Sequence, residues 1–308
     1  MSDQSLVDDF IRKTFSEKLC VNHVQIHRGN DLTAHYDRLQ RLRLPVYSIS
    51  KGVTSCAAGI AEAENLIDLN EKIVDIFPEY VPDDAGEYLK EVTLKHCLTM
   101  SAGQNGRLFM NDSYESHTVK DWVGYFFNSD FVNKPGTKWE YCNFNTLIVS
   151  CAIEKRAGTT LLEYLRDRFF EPLEIGNPEW RTIPTGQTNA GGGLLLNIDD
   201  LSRYAQLLLG FGSFMGKQIV PSDYMRRASS FQIDNSSLMA DDNRKYSGYG
   251  YGYQFLLDPD DDGYRSEGAY GQFAIAIPSK ETVISVMSLE GNQRRVGTLV
   301  FEMLVDRV

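Results

Sequence analysis

No run of about 18 apolar residues occurs in this 308-residue chain, so the sequence offers no membrane-spanning helix. There is no C-x-x-C pair, and the five cysteines (Cys20, Cys56, Cys97, Cys142 and Cys151) are an odd number. Both a disulfide framework and a zinc site are therefore disfavoured. Positive charge is also short. With 31 Lys and Arg against 42 Asp and Glu, the formal net charge is −11, and a nucleic-acid backbone is not an expected partner. Repeats, low-complexity tracts and flexible linkers are lacking, so nothing divides the chain into separable domains. The start, Met1-Ser2-Asp3-Gln4-Ser5, lacks the basic and apolar regions of a signal peptide, and a cytoplasmic location is expected.

What is present is a 42% hydrophobic composition, enough for one large core. Leu6, Val7, Phe10, Ile11 and Phe15 make a helical stripe. Val21 to Tyr36 reads as a hairpin turning at Gly29-Asn30. The next helix carries Val53, Cys56, Ala57 and Ile60 at core spacing. Helical patterns then dominate from Leu66 to about Tyr246. Phe144, Leu147, Ile148 and Cys151 form one stripe that stops at Gly158, and Thr160-Leu161-Leu162-Glu163 has the form of a capping box. The last sixty residues change character: Tyr249 to Leu257, Tyr264 to Ile277 and Glu281 to Leu289 are rich in strand formers. The expectation is a mixed α/β (α+β) fold in one unit, residues 1–308. An antiparallel sheet drawn from about 1–65 and 246–308 is flanked by helices, with a mostly helical part inserted at about 66–245.

Three short segments are candidates for chemistry. In Ser48-Ile49-Ser50-Lys51, serine and lysine share one face of a helix's first turn, where free N–H groups and the helix dipole favour an oxyanion. The same dipole favours a neutral lysine, and a neutral lysine beside a serine hydroxyl is one way to make a nucleophile without histidine; the plain alternative is a helix start with a solvated lysine. In Tyr141-Cys142-Asn143, after the Pro135-Gly136 turn, the phenol can pass protons and Asn143 can meet a substrate amide. Against that, Tyr141 can simply pack in the core and Asn143 cap the next helix. In Arg265 to Gln272, Gly268 admits a ligand backbone and the following N–H, of Ala269, can face a developing oxyanion. The alternative is a strand whose small residues face a helix. Asp258-Pro259-Asp260-Asp261-Asp262-Gly263 starts like a calcium loop, but Ala269 stands where a bidentate glutamate is needed, so an acidic turn between strands is expected.

The order S-x-x-K, Y-x-N and a late glycine segment resembles the serine β-lactamases and penicillin-binding proteins, in which S-x-x-K is a signature. The resemblance extends over nearly the whole chain: Tyr47 to Tyr80, Val92 to Gly103, Lys134 to Leu173 and Ala190-Gly191-Gly192-Gly193-Leu194 to Lys217. It is nearest the class C type, with its esterases, amidases and D-amino-acid peptidases. What the resemblance implies is a serine hydrolase with Ser48 as acylated nucleophile and Lys51 as its activating partner. Tyr141 would be general acid and base, as a phenolate held by Lys51, and Asn143 would orient substrate. The N–H groups of Ser48 and Ala269 would form the oxyanion hole beside Gly268. The implied partner is a small ester, amide or peptide, and nothing calls for a metal or organic cofactor.

One departure bears on substrate. Penicillin-recognising members carry K-T-G where this chain has Ser266-Glu267-Gly268, so a lysine for a substrate carboxylate is absent and Glu267 adds negative charge. Arg265 should point to the opposite face from Ser266. A neutral or cationic ester or amide is therefore expected in preference to a β-lactam. The alternatives are a D-amino-acid peptidase or weak β-lactamase and, in another class, a catalytically idle ligand-binding protein. Loops Ser101 to Ser116 and Ser230 to Ser247 should shape the pocket.

Overall fold

Alternation along a few strands builds a sheet with an apolar layer on each face. The structure, a computed structural model, describes residues 2–105, 118–237, 246–258 and 262–308. Its strands are β1 (Val21–Arg28), β2 (Asp31–Asp37), β3 (Leu44–Pro45), β4 (Glu179–Trp180), β5 (Leu194–Leu196), β6 (Ser213–Phe214), β7 (Lys217–Gln218), β8 (Leu256–Leu257), β9 (Tyr264–Gly268), β10 (Gln272–Ile277) and β11 (Thr282–Ser288). The main sheet runs β2-β1-β11-β10-β9-β8 and is antiparallel throughout, so the two ends of the chain do share one sheet. A second sheet, β3-β5-β4, ties the segment before Ser48 to the segment after Gly193.

The longest helices among the described residues are α1 (Asp3–Ser16), α2 (Ile49–Ala63), α3 (Asn143–Ala157), α4 (Ile198–Leu209) and α5 (Gln293–Met303). Helices α1 and α5 cover one face of the main sheet, where Val24, Ile26, Ile275, Ile284 and Val286 meet Leu6, Phe10, Leu299 and Val300. On the other face the strands carry Ala274, Ala276 and Ser285, small enough for α4 to settle closely. Helix α2 lies against β9 and α3, with Val53, Cys56, Ala57 and Ile60 in the core as the spacing predicts. Gly158 ends α3 in the left-handed conformation.

Three details differ from expectation. Of Tyr249 to Leu257 only Leu256–Leu257 is strand, because Gly248 and Gly250 take positive φ just before it. Tyr264 to Ile277 is two strands folded on each other at Ala269-Tyr270-Gly271, with φ of 63° at Tyr270 and 85° at Gly271. Gly268 closes β9. Thr160 caps the helix at Leu161–Leu165, but the Glu163 carboxylate turns to Arg166, leaving the capping box half made. The acidic segment does lie between antiparallel strands β8 and β9; Asp258 donates its N–H to the Gly263 carbonyl at 3.0 Å, and residues 259–261 lie outside the described residues.

Candidate active site

Ser48 stands at the N-terminal end of α2, entered by a tight turn: the N–H groups of Ile49, Ser50 and Lys51 bond the carbonyls of Val46, Tyr47 and Ser48. Apolar residues Val46, Ile49 and Val53 anchor this turn in the core. Val46 donates to the Leu194 carbonyl at 3.0 Å, and the Leu194 N–H donates to Ser50 Oγ at 3.1 Å, so β5 locks the turn from the side. Lys51, one helical turn on, is 2% exposed. Its Nζ donates to Ser48 Oγ at 3.0 Å and to the Gly191 carbonyl, and no carboxylate lies within ion-pair range among the described residues. A solvated lysine is ruled out by that burial.

Tyr141 reaches the same oxygen from the opposite side. Gly136, at φ 81°, turns the chain, and the N–H groups of Gly136 and Glu140 donate to the carbonyls of Ser101 and Met100, both at 2.8 Å. Trp139, buried, meets the Tyr141 ring at 6.2 Å between centroids. The half-buried tyrosine holds its hydroxyl 2.7 Å from Ser48 Oγ, and its ring face lies 5.0 Å from Lys51 Nζ. Ser48, Lys51 and Tyr141 are therefore in mutual contact, although 93 residues separate Ser48 from Tyr141.

Asn143 opens α3, and its carbonyl and Cβ lie close to Gly191, where a methyl group would meet both at 3.2 Å. The N-cap is Cys142, without a side-chain cap bond, so Asn143 is not the helix cap. Cys142 itself is fully buried, which closes it to bulky reagents. Across from the Ser48 turn, β9 ends at Gly268, so close to the Val46 carbonyl that no Cβ would fit, and the half-exposed Ala269 begins the β9–β10 turn. Neither the Ser48 N–H nor the Ala269 N–H is spent on a hydrogen bond among the described residues.

The Ser266-Glu267-Gly268 segment revises the electrostatic argument. Ser266, 3% exposed, bonds Tyr204 Oη at 2.8 Å, and both press against Gly52, where a methyl group would collide with them. Arg265 does take the opposite face, fully buried over the Phe301 ring, as alternation predicts. Glu267 follows it there: its carboxylate accepts from Arg265 Nε at 2.7 Å, and Asp258 binds the same guanidinium. The Glu267 charge is therefore partly matched and directed away from Ser266. What remains of the argument is the missing cation, since Ser266 is a buried hydroxyl already engaged. Of the two loops expected to shape the pocket, residues 106–117 and 238–245 lie outside the described residues.

Sequence reasoning missed the Gly191 carbonyl, Ser50 and the Tyr47–Tyr270 ring contact at 5.0 Å. The glycine triplet 191–193 was a signal of close backbone approach; the other two had none.

Comparison with known proteins bears on the family and the fold. The sequence matches the family described as Beta-lactamase over residues 33–297. The D-aminopeptidase of Brucella anthropi is 28% identical over 155 residues, 48% of this chain and 28% of that protein. The 6-aminohexanoate-dimer hydrolase of Paenarthrobacter ureafaciens is 23% identical over 227 residues, 68% of this chain and 57% of the relative. The chain thus matches less than two thirds of the length of either. Among solved structures, EstCE1, a hydrolase with promiscuous acyltransferase activity, superposes with a TM-score of 0.80 at 15% identity, covering 98% of this chain and 99% of that one.

Proposed function

The chain belongs to the Beta-lactamase family, and from that premise we propose that it is a serine hydrolase cleaving an ester or amide through an acyl-enzyme on Ser48. The observation that carries the reading is one oxygen, Ser48 Oγ, held at 3.0 Å from Lys51 Nζ and 2.7 Å from Tyr141 Oη. A nucleophile in contact with two proton-transfer groups is the arrangement that acyl transfer needs. Because Lys51 donates to Ser48 Oγ, the serine proton is left to point at the Tyr141 oxygen.

In this reading Tyr141 begins as a phenolate beside the Lys51 charge, and Ser48 Oγ attacks the carbonyl carbon as its proton passes to that phenolate, giving the phenol. The Ser48 and Ala269 N–H groups hold the oxyanion, each worth a few kcal/mol in the transition state. Collapse expels the alkoxide or amine, which takes the proton from Tyr141. Water then attacks the acyl carbon, gives a proton to Tyr141, and Ser48 leaves and recovers it. Asn143 and the glycine edge at Gly268 orient the substrate.

An uncharged ester or amide fits the site better than a β-lactam, because Ser266 replaces the lysine and, among the described residues, no cation stands there to meet a carboxylate. Losing such a charged hydrogen bond is worth about 1.5–3 kcal/mol, roughly 10–100-fold. Turnover of nitrocefin should accordingly fall at least about tenfold below that of a p-nitrophenyl ester; equal rates would remove this preference. A peptidase reading draws on the relative named D-aminopeptidase.

The test is intact-protein mass spectrometry after exposure to a fluorophosphonate. A single adduct on the native chain, absent from Ser48→Ala of equal thermal stability, is the expected result. A folded native chain that takes no adduct and leaves small esters intact would make it a ligand-binding protein instead.

A further inference from the structure

Each of the two candidate oxyanion donors is flanked by a tyrosine in the left-handed region, at φ 50° for Tyr47 and 63° for Tyr270. That conformation is costly for a residue with a Cβ, on the order of 1–3 kcal/mol, and persists where surrounding contacts impose it. The contacts are present at both positions. The Tyr47 carbonyl accepts from Ser50 N at 3.0 Å and from Ser50 Oγ at 2.6 Å. That carbonyl and the Ser48 N–H belong to one planar trans peptide, so fixing the first aims the second the opposite way. On the other side the Tyr270 N–H donates to Gln293 Oε1 at 2.6 Å, which fixes the peptide following Ala269 from the first turn of α5.

These two units come from distant parts of the chain, the entry to α2 and the β9–β10 turn. Besides the close approach of Gly268 to the Val46 carbonyl, what joins them is the ring pair, Tyr47 against Tyr270, centroids 5.0 Å apart and tilted by 49°. Such a contact holds its partners at a set separation and angle. Both tyrosines are half-buried.

We propose that Tyr47 and Tyr270 are positioning residues: their ring contact sets the distance between the Ser48 and Ala269 N–H groups, with Ser50 fixing the peptide that carries the Ser48 N–H and Gln293 fixing the Ala269–Tyr270 peptide, next to the one that carries the Ala269 N–H. This rests on the acyl-enzyme reading above. It adds a role carried by the rings, which Tyr270→Phe separates from the hydroxyl.

The experiment compares Tyr270→Ala, Tyr270→Phe, Tyr47→Ala and the double alanine variant. The readouts are p-nitrophenyl ester hydrolysis and the rate of fluorophosphonate labelling. A misplaced donor costs about 10–100-fold in rate. Tyr270→Ala should lose that much in kcat with KM within about twofold, and should label correspondingly slowly. Tyr270→Phe should stay near the native rate, and the double variant should be no worse than the poorer single one, because both break the same contact. Native kcat in Tyr270→Ala, a change confined to KM, or additive losses would overturn the proposal. If Tyr270→Ala fails to fold, Gln293→Ala, which frees the Tyr270 peptide from outside the core, should lower kcat in the same sense, and an unchanged kcat there would also overturn it. Absence of an adduct on the native enzyme would instead sink the acyl-enzyme reading.

Discussion

Lys51→Met should lower kcat/KM on a simple ester by about 10³-fold while leaving the fold intact. The substitution keeps a straight side chain of similar length in a site that is 2% exposed, and it removes the one cation in contact with Ser48 Oγ among the described residues. Two donations are lost: to Ser48 Oγ, the reacting atom, and to the Gly191 carbonyl, which helps to hold the glycine segment against Asn143. The first should appear in kcat and the second in stability. Burial of a thioether in place of an ammonium offsets part of the second loss, so the melting temperature should move by only a few degrees. Tyr141→Phe, which removes the other contact, provides a comparison. If Lys51→Met labels with a fluorophosphonate as fast as the native enzyme, Lys51 is not the activating partner, and Tyr141 must accept the serine proton without it.

How much of this was legible beforehand depended on the range of each contact. Ser48 and Lys51 are three residues apart in one helical turn, so their meeting follows from local geometry. The meeting of Ser48 with Tyr141 does not, and came only from resemblance to a family in which the motifs occur in the same order. Alternation along β9 correctly sent Arg265 away from Ser266. The same alternation sends Glu267 with it, and the ion pair that follows weakens an argument that had counted Glu267 as free charge. The Gly191 carbonyl was invisible because a backbone oxygen leaves no side-chain signature.

The C-terminal strands make the same point about turns. Tyr264 to Ile277 is so rich in strand formers that it reads as one element, and of the three residues at its fold only Gly271 is a usual turn residue. Tyr270 supplies the other left-handed position against its own preference. A departure of local preference from structure beside a candidate site is where function is expected to have selected the residue.

Gly268→Ala should be among the most damaging single-methyl changes in the protein. The added Cβ would fall deep inside the contact radius of the Val46 carbonyl oxygen and 3.0 Å from Gln272 Cβ. A flexible side chain could give way to it, but the Val46 carbonyl is backbone, two residues before Ser48. That carbonyl also accepts from the Ile49 N–H, while the Val46 N–H donates to Leu194, so the turn cannot retreat without loosening α2 from β5. Either β9 or the nucleophile turn must therefore shift, and both carry a candidate oxyanion donor. Overpacking of this kind costs about 1–3 kcal/mol of stability. The rate should suffer more, by about 100-fold in kcat, because a displacement near 1 Å between Ser48 and Ala269 spoils the oxyanion geometry. Denaturant unfolding and ester kinetics on the same preparation separate the two losses. Native stability with native kcat would mean that β9 yields freely at Gly268, and the oxyanion hole would then have to be built without Ala269.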